Sequence, residues 1–194
     1  MKLIGLLFLF VEKGYDRVMM YFTRYLFAQC GKNVIFFPTR SHFQYKGISL
    51  GNNVSIAKGV SLIASYSHIT IGDNTIISSN VIIRGGNHSS HIIGKFMRDY
   101  RQNNKLPADD KAVIIDEDVL VGASVIILKG VHIGRGAIIS PGTIINKDVP
   151  PYSIVGGNPS QIIKYRWSTK DILQHEELAY SRENRLPIEL IKAK

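Results

Sequence analysis

The sequence predicts an all-β solenoid, a parallel β-helix of hexapeptide repeats, with an N-terminal amphipathic helix, one inserted loop and a C-terminal helix. Three observations predict it. Ile115, Val121, Ile127, Ile133, Ile139 and Ile145 are aliphatic at an unbroken spacing of six. A companion series four residues further on, Val119, Val125, Val131, Ala137, Thr143 and Val149, is small or β-branched throughout. Glycine recurs at the positions between them, as Gly122, Gly130, Gly134, Gly136 and Gly142. Strands of a sandwich, which alternate with period two, do not hold six successive positions six apart.

From the N-terminus, residues 2 to 28 read as the amphipathic helix. Leu3 to Val11 is continuously apolar, but Glu12, Lys13, Asp16 and Arg17 end the run well short of the roughly 20 residues that cross a bilayer. No small-residue cleavage pattern follows it. Val18, Phe22, Tyr25 and Leu26 continue at helical spacing, with a break expected near Gly14. One role for this segment is to cap the open end of the repeat domain. The sharper one, supported by Lys13, Arg17 and Arg24, is peripheral membrane association through residues 2 to 28.

The repeat begins upstream with Leu50, Ile56 and Leu62 and resumes at Ile71, Ile77 and Ile83, with Val54, Val60, Thr75 and Val81 as partners. Between the two runs Ser65-Tyr66-Ser67-His68 shifts the register and predicts a small protruding turn. Six-residue periodicity suits a coil with three flat faces, each hexapeptide supplying one short strand and one tight turn. Stacked coils bury each inward Ile or Val, worth roughly 1.5–3 kcal/mol apiece. Gly51-Asn52-Asn53 and Gly72-Asp73-Asn74 suit the turns because Gly and Asn tolerate positive φ. Periodicity alone does not give the hand of the coil. The segments divide as 1–30 for the amphipathic helix, 31–157 for the repeat domain with its inserted loop at 84–113, and 158–194 for a helical tail.

The composition narrows the partners. A formal net charge of +9 attracts anions, whether nucleic acid, phospholipid headgroups or phosphorylated small molecules. No dominant Lys/Arg run, zinc-finger spacing or RNA-binding aromatic signature is present, so no nucleic-acid partner is expected. The single cysteine, Cys30, excludes an internal disulfide framework and fits a reducing, cytoplasmic compartment, with the inner face of the membrane as the alternative location.

The repeat breaks once, between Ile83 and Ile114, over RGGNHSSHIIGKFMRDYRQNNKLPADDKAV. This stretch is too polar and too long for one turn, and long excursions from a regular scaffold are where function concentrates. Phe96 and Tyr100 are expected to order part of it by aromatic packing.

Three stretches carry a resemblance: IGDNTIISSNVIIRGGNHSS, then VLVGASVIILKGVHIGRGAIISPGTIINKDVPPYSIVGGNPSQIIKYR, then WSTKDILQHEELAYSRENRL. Together they resemble the hexapeptide-repeat acetyltransferases, particularly sugar O-acetyltransferases of the maltose/galactoside type and those acting on O-antigen or capsule sugars. The resemblance implies a left-handed coil, a homotrimer, acetyl-CoA as cosubstrate with no metal, and a sugar or glycan acceptor in surface polysaccharide biosynthesis. It also implies that His88, at the start of the loop, is the general base; removing a hydroxyl proton as oxygen attacks a thioester is chemistry that imidazole suits near neutral pH. Acceptor contacts fall at Asn80, Asn87 and Lys58. CoA contacts fall at the turns Gly122-Ala123 and Pro141-Gly142, with the Ala123 N–H stabilising the oxyanion, and at Asn146, Lys147, Lys164 and Arg166 near the phosphates.

The chain departs from the family in three places. Ser89 follows His88 where proline is frequent, Ala57-Lys58-Gly59 stands where an asparagine lines the acceptor pocket in the maltose/galactoside branch, and Gln161 stands where another arginine occurs. The acceptor is therefore not expected to be that of the maltose or galactoside enzymes. Of the other histidines, His42 and His68 lie outside the motif, His132 faces outward from a coil, His175 belongs to the C-terminal helix, and His91 is a possible assistant. Three other functions fit the scaffold: N-acetylation of a nucleotide-linked amino sugar, a metal-dependent carbonic anhydrase, and a non-catalytic interaction scaffold. The anhydrase needs three converging histidines, which His88-x-x-His91 does not supply.

Overall fold

The computed structural model describes residues 1–191; the end of the expected tail, 192–194, lies outside them. Successive short strands are dealt in rotation to three sheets, so that each strand stacks in parallel on the one a full turn before it. The first face holds Gln29–Cys30, Ile48–Leu50, Ile69–Ile71, Val113–Ile115 and His132–Ile133. The second holds Ser55–Ile56, Ile76–Ile77, Leu120–Val121, Ile138–Ile139 and Ser153–Gly156. The third holds His42–Phe43, Ser61–Ile63, Ile82–Arg84, Ile126–Ile127 and Ile144–Ile145. The registers place the six-spaced aliphatics over one another: Ile77 on Val121 on Ile139, and Ile83 on Ile127 on Ile145. These residues and their companions Val119, Val125, Val131, Ala137 and Thr143 are all buried, which makes the interior a continuous aliphatic core.

The three corners between the faces explain the polar half of the repeat. At the first corner, between the first and second faces, Asn33, Asn53, Asn74 and Asp118 all have φ near +55° to +58°, and side-chain amides link Asn33 to Asn53 and Asn53 to Asn74 at 3.1 and 3.0 Å. Few residues other than Gly, Asn and Asp adopt that backbone readily. Tyr152 continues the column at φ +58° despite its bulk, held by a hydrogen bond from its hydroxyl to Glu176. Ser65-Tyr66-Ser67-His68 forms the expected turn at the third corner, where the Ser67 hydroxyl donates to the Ala64 carbonyl at 2.7 Å.

The ends differ from the sequence expectation. Helix α1 (Lys2–Thr23) runs through Gly14 without a break and stops before residue 28, giving way to a short 3₁₀ turn at Arg24–Leu26. The coil already begins at Gln29–Cys30, which pairs with Ser49 and Leu50, inside the segment assigned to the helix. Phe27, Phe36, Phe43 and Tyr45 plug the open end with edge-to-face and tilted ring contacts at centroid separations of 4.8 to 5.8 Å. Helix α1 anchors on this end through contacts from Glu12 onward: Glu12 pairs with Arg40, Met20 packs on the core, and Asp16 accepts from the Thr39 hydroxyl at 2.7 Å.

At the other end the expected helical tail starts as a strand. Gln161–Tyr165 pairs antiparallel with Ser153–Gly156 and covers that edge of the second face. Helix α2 (Thr169–Ala179) follows, capped by Ser168, and buries Ile172 and Glu176. Glu176 binds the Tyr152 hydroxyl, Arg135 at 2.9 Å and the Leu186 amide at 2.9 Å, and Arg135 also meets Glu117 at 2.5 Å. Burial among these groups pushes the Tyr180 phenol up to about 12.

Candidate active site

The inserted loop leaves the third corner after Arg84 and returns at Val113 without disturbing the stack, since Ile71 still pairs with Ile115. Its base is a two-stranded neck. Asn87 N–H donates to the Asp109 carbonyl at 2.9 Å, and Lys111 N–H to the Gly85 carbonyl at 2.8 Å. The neck requires glycine, because a Cβ at Gly86 would collide with the Asp110 carboxylate and, at 2.5 Å, with Ser65 of the turn above. Ser89 is buried and its hydroxyl donates to Asp109, whose carboxylate also accepts from the Leu106 amide at 2.8 Å. The Ser89 hydrogen bond, then that from Leu106, holds the Asp109 carboxyl below the usual range. Tyr100 is the aromatic that orders the loop, buried with its hydroxyl accepting from the Ile92 amide; Phe96, expected to share this role, is exposed instead.

His88 sits exposed at the mouth of a cleft of about 490 Å³ between this loop and the turn above it. Among the described residues its imidazole has no hydrogen-bond partner; only its backbone N–H is engaged, by the Asn87 side chain at 2.9 Å. Other histidines are committed elsewhere. His68 bonds Ser49 at 2.8 Å, His132 pairs with Asp116 at 2.9 Å, and His175 packs tilted against Trp167 at a centroid separation of 4.9 Å. His91 packs edge-on against Tyr100 at 5.4 Å, a contact that orders the loop.

The residues expected to bind substrates are divided among corners. Asn87 lines the cleft with His88. Asn80 does not line it: it is the φ +60° residue of a second-corner turn, its side-chain oxygen lying over Gly59. Lys58 is also at the second corner, over the Phe37 ring at 5.2 Å and beneath α1. Within one chain the third face lies between that corner and His88.

Gly122-Ala123 and Pro141-Gly142 stack at the second corner, Gly142 N–H donating to the Ala123 carbonyl at 2.9 Å. Gly122 is required by this stacking, since a Cβ there would meet Pro141 N at 2.6 Å and the Ile139 carbonyl at 2.7 Å. The Ala123 N–H has no acceptor among the described residues and is free to donate. Asn146 and Lys147 are exposed at the third corner, two turns below the loop, and Lys164 is exposed on the antiparallel strand of the second face. Arg166 is not a free cation: it pairs with Asp118 at 2.7 Å, donates to the Gly136 carbonyl at 3.1 Å and lies 4.3 Å from the Trp167 ring centroid. Among the described residues no three His, Cys, Asp or Glu side chains converge as a metal site.

Residues 112–147 match the model for the bacterial transferase hexapeptide (six repeats). The chain belongs to the hexapeptide-repeat transferase family. A galactoside O-acetyltransferase of Escherichia coli (strain K12) is 30% identical over 140 residues, spanning 72% of this chain and 64% of that protein. A 2,3,4,5-tetrahydropyridine-2,6-dicarboxylate N-acetyltransferase of Thermotoga maritima is 59% identical over 58 residues, 30% of this chain and 25% of that one. The chain thus spans less than two thirds of the length of these curated relatives. Among solved structures, a hexapeptide-repeat acetyltransferase of Vibrio cholerae O1 biovar eltor, complexed with acetyl-CoA, superposes with a TM-score of 0.68 at 28% identity, covering 84% of this chain and 85% of that one.

Within this hexapeptide-repeat chain, sequence reasoning located His88 and Asn87 but missed the rest of the cleft wall. Arg84, Tyr66, Gln44, Arg101 and Lys105 line it as well. Tyr66 and Gln44 come from turns above the loop, and only the strand register, which stacks Ile63 on Arg84, shows that they meet it. The signal in the sequence was the register shift at residues 65–68.

Proposed function

We propose that this protein transfers an acetyl group from acetyl-CoA to a sugar hydroxyl, in the assembly of a surface polysaccharide, with His88 as general base. The observation that carries the reading is the pairing of an exposed, unpartnered imidazole at a loop-bounded cleft with a free Ala123 N–H on a neighbouring corner. The acceptor oxygen attacks the thioester carbonyl as His88 takes its proton. The Ala123 N–H stabilises the oxyanion, typically worth a few kcal/mol, and the CoA sulfur leaves with the proton returned by the imidazolium. Lys147 and Lys164 are the exposed cations available to the CoA phosphates.

One chain does not bring His88 and Ala123 together, so the reading includes a left-handed coil assembled as a homotrimer, with each site between two copies. Outward aliphatic residues support this: Ile82, Ile126 and Ile144 stack down the third face. The helix α1 supports a location at a membrane surface. Leu3, Leu7, Phe10, Val18 and Tyr21 form an exposed stripe opposite Glu12, Asp16 and Met20, flanked by Lys13, Arg17 and Arg24. Among the described residues no helix is long and apolar enough to cross a membrane.

The test is CoA release from acetyl-CoA with a panel of hydroxy and amino sugars. Replacing His88 with alanine should lower turnover about 10²–10⁴-fold, the usual span for a general base, while CoA still binds. Turnover near that of the unaltered protein would remove His88 from the mechanism, and acetylation confined to amino sugars would replace O-transfer with N-transfer.

A further inference from the structure

We infer that the cleft beside His88 takes an acceptor that carries a negative charge, a carboxylate or a phosphate on the sugar; the inference rests on the acetyl-transfer reading of the same site. Three cations, Arg84, Arg101 and Lys105, line the cleft and no Asp or Glu does. Lys105 is neutralised by Asp110 at 2.5 Å. Arg84 and Arg101 have no carboxylate partner among the described residues; the Arg101 guanidinium donates to the carbonyls of Arg98 at 3.2 Å and Tyr100 at 3.5 Å. The carboxylate of Asp109, in the neck of the loop, is committed to Ser89 and the Leu106 amide. Two arginines without a carboxylate partner in the wall of a concave site leave a local positive potential, and a guanidinium matches carboxylate and phosphate oxygens in its donor geometry.

The charge is separate from that expected at CoA. Lys147 lies two turns below the loop on the same corner, whereas the cleft opens above the loop, against Gln44, Ser65 and Tyr66. The Gln44 side chain receives the Ser65 amide at 2.6 Å through its oxygen, which leaves its NH₂ for a neutral sugar hydroxyl. The cleft thus offers neutral donors for the ring and cationic ones for a charged substituent, beside the base.

The experiment is calorimetric binding of methyl glucoside, methyl glucuronide and glucose 6-phosphate to the full chain, with CoA release measured on the same preparations. At least one anionic probe should bind about tenfold or more tightly than the neutral one, and the preference should shrink as salt screens it over a Debye length of about 8 Å at physiological strength. Arg84→Gln with Arg101→Gln should bring the preference to within about twofold while CoA affinity holds. The carboxylate and phosphate arms identify which anion is read. Equal binding of all three probes, absence of binding by all three, a preference that survives the double substitution, or a parallel loss of CoA affinity would each overturn the inference. Selective binding of an anionic probe without CoA release would instead count against acetyl transfer and leave the charge preference standing.

Discussion

Ser89 decides how the loop departs from the coil. Where proline is frequent in the family, this chain uses a buried hydroxyl bonded to Asp109, and Asp109 in turn holds the Leu106 amide. One carboxylate thereby ties both strands of the neck and fixes the backbone next to His88. Its folded-state carboxyl is depressed, so the tie is complete above the unfolded value of about 3.9 and is lost as pH falls through the lower folded value. The Asp109 carboxyl and Leu106 amide resonances should therefore titrate together by NMR with a midpoint below about 3.9, and Ser89→Ala should move it upward; a midpoint at or above that value in the unaltered protein would show that the tie does not form. His88 was legible in the sequence because it opens the one long break in the repeat. Arg84 and Arg101 were not, since each reads as ordinary surface charge until the stacked turns show that they share a cleft.

At the scale of elements, the strands were the most legible, because six-residue spacing allows few alternatives, and the termini were the least. Gly14 suggested a break in α1 at a cost of about 1 kcal/mol relative to alanine. The helix continues through it because Glu12 pairs with Arg40 and Asp16 bonds Thr39, one on either side. Gln161–Tyr165 was hidden in the tail because a five-residue apolar-polar run does not distinguish strand from helix; its pairing with Ser153–Gly156 decides it. The same anchoring contacts separate two roles within α1. Residues 2–11 precede all of them, and removing that stretch should abolish sedimentation with vesicles containing phosphatidylserine while leaving CoA affinity and the melting temperature nearly unchanged. Undiminished vesicle binding after the truncation would relocate or remove the membrane surface.

At the scale of the whole molecule, the coil places the candidate groups on separate corners: His88 and its cleft on the third, the free Ala123 N–H and the open Gly142 turn on the second. A rigid aliphatic core runs between them, so the two halves of the site meet only if a second copy presents its second corner to the loop of the first. Mixed oligomers test that arrangement most directly. His88→Ala removes the proposed base, and Gly142→Asp puts a carboxylate into the turn proposed to hold CoA, at a φ of +72° that Asp tolerates. Each variant alone should be nearly inactive. Co-expressed in equal amounts and assembled at random, they should recover about a quarter of the unaltered rate, the fraction of interfaces that unite an intact base with an intact turn; co-assembled oligomers no more active than the separate variants would contradict a site shared between subunits.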